Sequence, residues 1–166
     1  VTNDYFDSQN VADFWISGIG FNQYDCEKLK KIDEINDIEP RVVLDCEYRY
    51  DGDITLSLYS MADRNTVNIP LIIEGNFPEN NREIMISEKF AEKHGLQIGD
   101  TYEIKVSGTN IIIKTKICAL VKSPECMHHV SETTMTPDYY KYGYAYINED
   151  AVSGIYGDNI YNQICI

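Results

Sequence analysis

The chain has 166 residues, 43% of them apolar, and its 27 acidic against 14 basic side chains give a net charge of −13. That size suits one domain, or two small lobes around a shared core, and the apolar content excludes a disordered chain. The charge excludes nucleic acid, whose phosphates need clustered cations, and argues against lying flat on an anionic membrane surface.

Asp13 to Ser17 reads as a short strand, and Gly18 and Gly20 bracket a turn into a helix over Gln23–Asp33. Asn22 is its N-cap, with Asp25 near the positive helix end and Phe21 placed to staple onto Cys26. Cys26, Leu29 and Ile32 form a narrow buried stripe. A strand with clean alternation follows: Val42, Leu44, Cys46, Tyr48 and Tyr50 on one face, Arg41, Asp45, Glu47 and Arg49 on the other. It turns at Asp51-Gly52. A three-residue loop, Asp51 to Asp53, pairs Tyr50 with Ile54 and Tyr48 with Leu56, and so keeps both apolar sets on one face.

Asn68 to Glu74 is a strand interrupted by Pro70, which suits an edge or a bulge. Glu83 to Ile86 is the next strand. Ser87 caps a helix over Glu88–His94, Gly95 closes it, and Leu96 folds back onto Ala91 or Phe90. After an Ile98-Gly99-Asp100 turn, Tyr102, Ile104 and Val106 alternate inward. Gly108 to Asn110 connects to a strand in which Ile111, Ile113, Ile117, Ala119 and Val121 share a face. Lys122 to Tyr142 has no periodicity and reads as a long irregular loop, of the kind that is functional or mobile. Tyr144 to Asn148 and Tyr161 to Ile166 are closing strands, with a helical turn near Asp150 to Val152. The fold class is α/β (α+β).

No apolar run nears the ~20 residues that cross a bilayer, no signal-peptide pattern is present, and the first residue is not methionine; the chain reads as a soluble excerpt of a longer protein. Thirteen tyrosines suit half-buried strand surface or an aromatic contact face. Five cysteines without CxxC spacing read as buried small hydrophobes, with at most one or two disulfides.

Three stretches carry a resemblance: ADFWISGIGFNQYDCEKLKKID near the start, LIIEGNFPENNREIMISEKFAEKHGLQIGDTYEI in the middle, and SPECMHHVSETTMTPDYYKYGYAYIN later. Together they resemble the extracytoplasmic domains of FtsX-like ABC transporter permeases, in the form found in Gram-positive bacteria. The resemblance implies a MacB-like periplasmic core: a β-α-β lobe of about 1–74 and 137–166, with a smaller β-rich lobe of about 75–136 inserted. It implies a place outside the cell membrane between two transmembrane helices of the permease. ATP hydrolysis would fall to a cytoplasmic ATPase subunit, and a permease dimer and an extracellular protein or peptide substrate are its possible partners.

Candidate chemistry in the residues themselves is sparse. Glu125, Cys126, His128 and His129 are ligand types, but adjacent histidines on a strand face opposite ways and no HExxH spacing supports a metal. His94 suits a helix C-terminus, where a cation meets the last carbonyls. Asp51 and Asp53 fit a hairpin turn better than an EF-hand. GxSxG and a P-loop are both missing. The expectation is therefore no catalytic, cofactor or metal residue: a non-enzymatic permease domain that couples ATP-driven membrane motion to events outside. The alternative is the ligand-binding or sensor domain of a membrane receptor, and a secreted hydrolase is the weaker third.

Overall fold

The computed structural model describes residues 8–62, 66–125 and 138–166. The chain is mixed α/β, rich in strands and poor in helix. In order it forms β1 (Trp15–Phe21), α1 (Gln23–Leu29), β2 (Glu39–Arg41), β3 (Val43–Tyr48), β4 (Asp51–Met61), β5 (Leu71–Gly75) and β6 (Glu83–Ser87). There follow α2 (Glu88–His94), β7 (Thr101–Val106), β8 (Ile112–Lys122), β9 (Tyr142–Asn148), a 3-10 turn (Glu149–Ala151), α3 (Ser153–Tyr156) and β10 (Tyr161–Cys165). No helix among the described residues is long and apolar enough to cross a membrane.

The strands make two sheets. The large one has the order β5-β8-β6-β9-β4-β3-β7, and β7 also pairs with β8, so six strands close into a ring with β5 flanking β8. Inside the ring lie Leu44, Cys46, Leu56, Leu58, Ile84, Ile86, Ile104, Ile117, Ala145 and Ile147, with Phe90 and Ala91 of α2 packed against them. A second cluster of Met61, Met85, Ala119, Val121, Tyr144 and Tyr146 covers the opposite face of the same strands. Strands from the ranges 1–74 with 137–166 and from 75–136 hydrogen-bond to one another in this sheet: β9 lies between β6 and β4.

The small sheet, β1-β10-β2, is antiparallel throughout. Ile16 and Ile164 pack on Cys26 and Leu29 of α1. Asn22 and Asp25 close a reciprocal capping box at the start of that helix. The chain passes from the small sheet to the large one at Val42. There Val42 N–H donates to Ser60 Oγ and Ser60 N–H to the Val42 carbonyl, both at 2.8 Å. The first and last strands are neighbours: Asp13 N–H donates to the Ile166 carbonyl at 2.7 Å and Ile166 N–H to Phe14 at 3.0 Å.

Several expectations hold and several are corrected. Ser87 caps α2, Gly95 is left-handed at φ 65°, and Leu96 N–H returns to the Ala91 carbonyl at 2.9 Å. β5 is an edge strand, with Pro70 just before it. Gly18 to Gly20 make a bulge inside β1, between the Ser17–Gln163 and Phe21–Tyr161 pairs, and not a turn after it. α1 ends at Leu29 instead of Asp33, because the chain continues in i→i+3 bonds from Lys31 to Lys28 and from Ile32 to Leu29. Ile32 is accordingly exposed.

The β3–β4 hairpin turns at Arg49 and Tyr50, both with positive φ, as a type I′ turn requires. Cys46 therefore pairs with Leu56, two residues from the expected register. An even offset preserves the shared face, so only Tyr50 leaves it and becomes exposed. In β8 a register shift between the Ile84–Ile117 and Met85–Ala119 pairs sends Ala119 and Val121 to the face opposite Ile117. They do not share a face as the alternation implied.

Candidate functional site

The most concentrated polar arrangement is buried between the two sheets. Arg41 comes from β2 and Glu125 from the chain leaving β8; their side chains are 4% and 5% exposed. Two bonds place Glu125. Tyr146 OH donates to Ser123 Oγ at 2.7 Å, and Glu125 N–H donates to the same oxygen at 3.2 Å. Arg41 Nη1 and Nη2 then donate to Glu125 Oε1 and Oε2 at 2.7 and 2.6 Å, a bidentate pair. Trp15 Nε1 of β1 donates to Glu125 Oε2 at 3.1 Å, and Asn68 Nδ2 does so at 3.3 Å. Arg41 Nε donates to Gln163 Oε1 of β10 at 2.7 Å.

Each strand of the small sheet thus reaches one carboxylate of the large-sheet layer, directly or through one residue. The Arg41 guanidinium also lies 4.6 Å from the centre of the Tyr59 ring on β4. Burial alone would lower the Arg41 pKa; the hydrogen bonds and charge of Glu125 outweigh it and raise it above the ordinary value. Chemically the arrangement is saturated: both Glu125 oxygens are taken, so it fastens two layers and offers no ligating atom. Sequence reasoning missed it because Arg41 lies 84 residues from Glu125 and 122 from Gln163.

The other candidates separate. Cys126, His128 and His129 lie outside the described residues. Among the described residues no group of three or more His, Cys, Asp or Glu is placed to hold a metal ion. His94 ends α2, but its Nε2 donates to the Tyr140 carbonyl at 2.8 Å and not to its own helix. Its ring lies 4.2 Å from Phe90, 4.6 Å from Tyr48 and 4.7 Å from Tyr140, centre to centre. It ties the helix to the segment entering β9. Asp51 and Asp53 lie in β4, past the Arg49–Tyr50 turn and not in it as expected, and Asp51 Oδ1 accepts from Asp53 N–H at 3.0 Å.

Cys26, Cys46, Cys118 and Cys165 are free thiols, all but Cys118 fully buried. Burial pushes Cys46 and Cys165 up to about 12 and Cys118 to about 11, and raises Cys26 as well. They stay protonated at neutral pH and act as small apolar residues. Two clefts flank the small sheet. One of about 340 Å³ is lined by Asp13, Phe14, Ile35 and Asp37, the other of about 290 Å³ by Glu149, Asp150, Asp158 and Tyr161.

The fold has solved counterparts. The extracellular domain of YknZ, a noncanonic ABC-type transporter from Gram-positive bacteria, superposes with a TM-score of 0.50 at 17% identity, over 87% of this chain and 71% of that one. The chain shares that domain's fold. The periplasmic region of MacB from Actinobacillus actinomycetemcomitans aligns at a TM-score of 0.49 and 12% identity, over 90% of this chain and 64% of that one. No protein-family model and no curated protein matches the sequence.

Proposed function

We propose that the chain is the extracytoplasmic domain of an ABC transporter permease, without catalytic residues of its own. It would pass ATP-driven motion of the membrane helices to a substrate or partner outside the cell. The observation that carries this reading is the fold shared with the YknZ extracellular domain. The resemblance of the Gly75–Asp100 stretch and its flanks to FtsX-like permeases supports it from the sequence.

Two structural features suit a transmitting role. β1 and β10 lie side by side, with Trp15 at the start of one paired to Cys165 at the end of the other. A force arriving there meets the small sheet first, and the Arg41–Glu125 pair hands it to the ring of strands. A buried bidentate pair resists shear because sliding the layers would strand a desolvated charge.

The test uses the full-length protein with its cytoplasmic ATPase in lipid nanodiscs. Spin labels go on Ile19→Cys in β1, where the native side chain is 93% exposed, and on Lys89→Cys in α2. Within one domain the distance between them stays fixed between the nucleotide-free and vanadate-trapped states. Between the two copies of a dimer it shifts. Identical distributions between copies in both states would remove the coupling role.

A further inference from the structure

β8 is paired unevenly. Residues 112–116 pair with β7 on one edge, and β6 joins the other edge only from Lys116 onward. In an antiparallel pair, residues that bond across alternate with residues whose polar groups face away. Ile111 accepts from Val106 N–H and Ile117 donates to the Asp100 carbonyl, both at 2.9 Å, so the odd-numbered residues 111–117 face β7. The even-numbered ones face away, as Lys116 does when its N–H donates to the Arg82 carbonyl at 2.8 Å. Ile112 and Lys114 therefore hold their N–H and C=O groups toward an edge that no strand occupies among the described residues.

That edge opens into a cleft of about 500 Å³ whose walls include Arg82, Ile112, Lys114, Asp150 and Ile155. Ile111 and Ile112 are 38% and 46% exposed there, an apolar edge of the kind that folded proteins normally cover. Charge in the cleft runs against the rest of the chain. Its lining sets two bases, Arg82 and Lys114, against one acid, Asp150, and Lys116 follows on the Lys114 face of the strand with Glu83 paired beside it. Lys114 is 80% exposed and its pair with Glu103, at 3.3 Å, is a surface contact worth little. In a protein of net charge −13, the lining of this cleft carries one more base than acid, beside backbone that no strand pairs with among the described residues.

We propose that the cleft is a strand-docking site. An extended segment of a partner protein, with carboxylates alternating with apolar side chains, adds to the Ile112–Lys114 edge of β8. Its main chain bonds the outward N–H and C=O groups. One of its faces meets Ile113 and Ile155 while the other sets carboxylates against Arg82, Lys114 and Lys116. The lysine that would repel a basic strand selects an acidic one. This inference stands on the edge and its charges, independently of the transporter reading.

The test is fluorescence anisotropy of a labelled, end-blocked hexapeptide, (Glu-Val)3, titrated with this chain. The expected result is saturable binding that (Lys-Val)3 does not show. Arg82→Glu with Lys114→Glu weakens it at least tenfold, with the urea midpoint unchanged. Ile112→Pro deletes an outward N–H without touching the β7 bonds, and it also abolishes binding. Should that variant fail to fold, a peptide N-methylated at alternate amides supplies the same test from the other side. No saturable binding at millimolar peptide, equal binding of the lysine peptide, or insensitivity to the charge reversal and to N-methylation would each overturn the proposal. So would capture of the chain by anionic lipid vesicles in preference to the peptide.

Discussion

Glu125→Ala should be among the most damaging single substitutions in this chain. It removes the acceptor of two Arg41 bonds at 2.7 and 2.6 Å, of Trp15 Nε1 at 3.1 Å and of Asn68 Nδ2 at 3.3 Å. Arg41 stays 4% exposed, with Gln163 left to accept from it, and a guanidinium cannot discard its charge. Breaking a buried pair from one side costs about 3–5 kcal/mol. At about 2–4 °C per kcal/mol for a chain of this size, the midpoint falls by about 6–20 °C. Urea unfolding followed by far-UV circular dichroism reads the loss directly. The double variant Arg41→Met with Glu125→Leu replaces both charges by apolar groups and should regain most of it. A cost below about 1 kcal/mol for Glu125→Ala would mean the pair is solvated and fastens nothing. A double variant as unstable as the single one would refute the orphan-charge argument.

Three further outcomes follow from local geometry. The Tyr102 hydroxyl is buried without a hydrogen-bond partner among the described residues, so Tyr102→Phe should raise unfolding free energy by about 1 kcal/mol, the low end of what an unsatisfied group costs; a net loss in urea unfolding would instead reveal a bound water. Gly75 has φ +89°, and a Cβ there would lie 2.1 Å from the Cys118 carbonyl oxygen of β8. Gly75→Ala combines backbone strain with overpacking and should cost about 2–6 kcal/mol, against about 1 kcal/mol for Gly95→Ala, whose Cβ meets open space. Comparable losses in thermal melts of the two would discount the β5–β8 approach.

Burial raises the Glu39 carboxyl pKa, and its bonds from Thr66 pull it only part of the way back. A folded value above the unfolded one stabilises the fold below the ordinary carboxylate pKa of 4.5, and that contribution is lost as pH rises through the folded value. Glu39→Gln should therefore gain on the wild type as pH climbs from about 4 to about 7. A difference that is flat, or that shrinks with pH, in urea midpoints would contradict the sign.

The sequence was most legible where one short segment determines its own geometry. Ser87, Gly95 and Leu96 define α2 by local capping, and all three behave as their residue types require. Alternation placed Leu44, Cys46, Leu56 and Leu58 together even with the hairpin two residues out of register, because facing depends on parity. It failed in β8, where the irregularity after Ile117 reverses the faces and no glycine or proline announces it. Arg49 and Tyr50 at positive φ are likewise unmarked, while the more obvious Asp51-Gly52 begins a strand. The Arg41–Glu125 fastening was illegible for a different reason. It depends on which sheet face meets which, and that is decided by topology across most of the chain.

The placement of the domain outside the membrane is tested most directly by labelling the full-length protein in intact cells. A membrane-impermeant maleimide should modify Ile19→Cys before lysis, at a rate that changes when the ATPase is trapped with vanadate. A cysteine at that position that reacts only after the cells are broken would contradict the account.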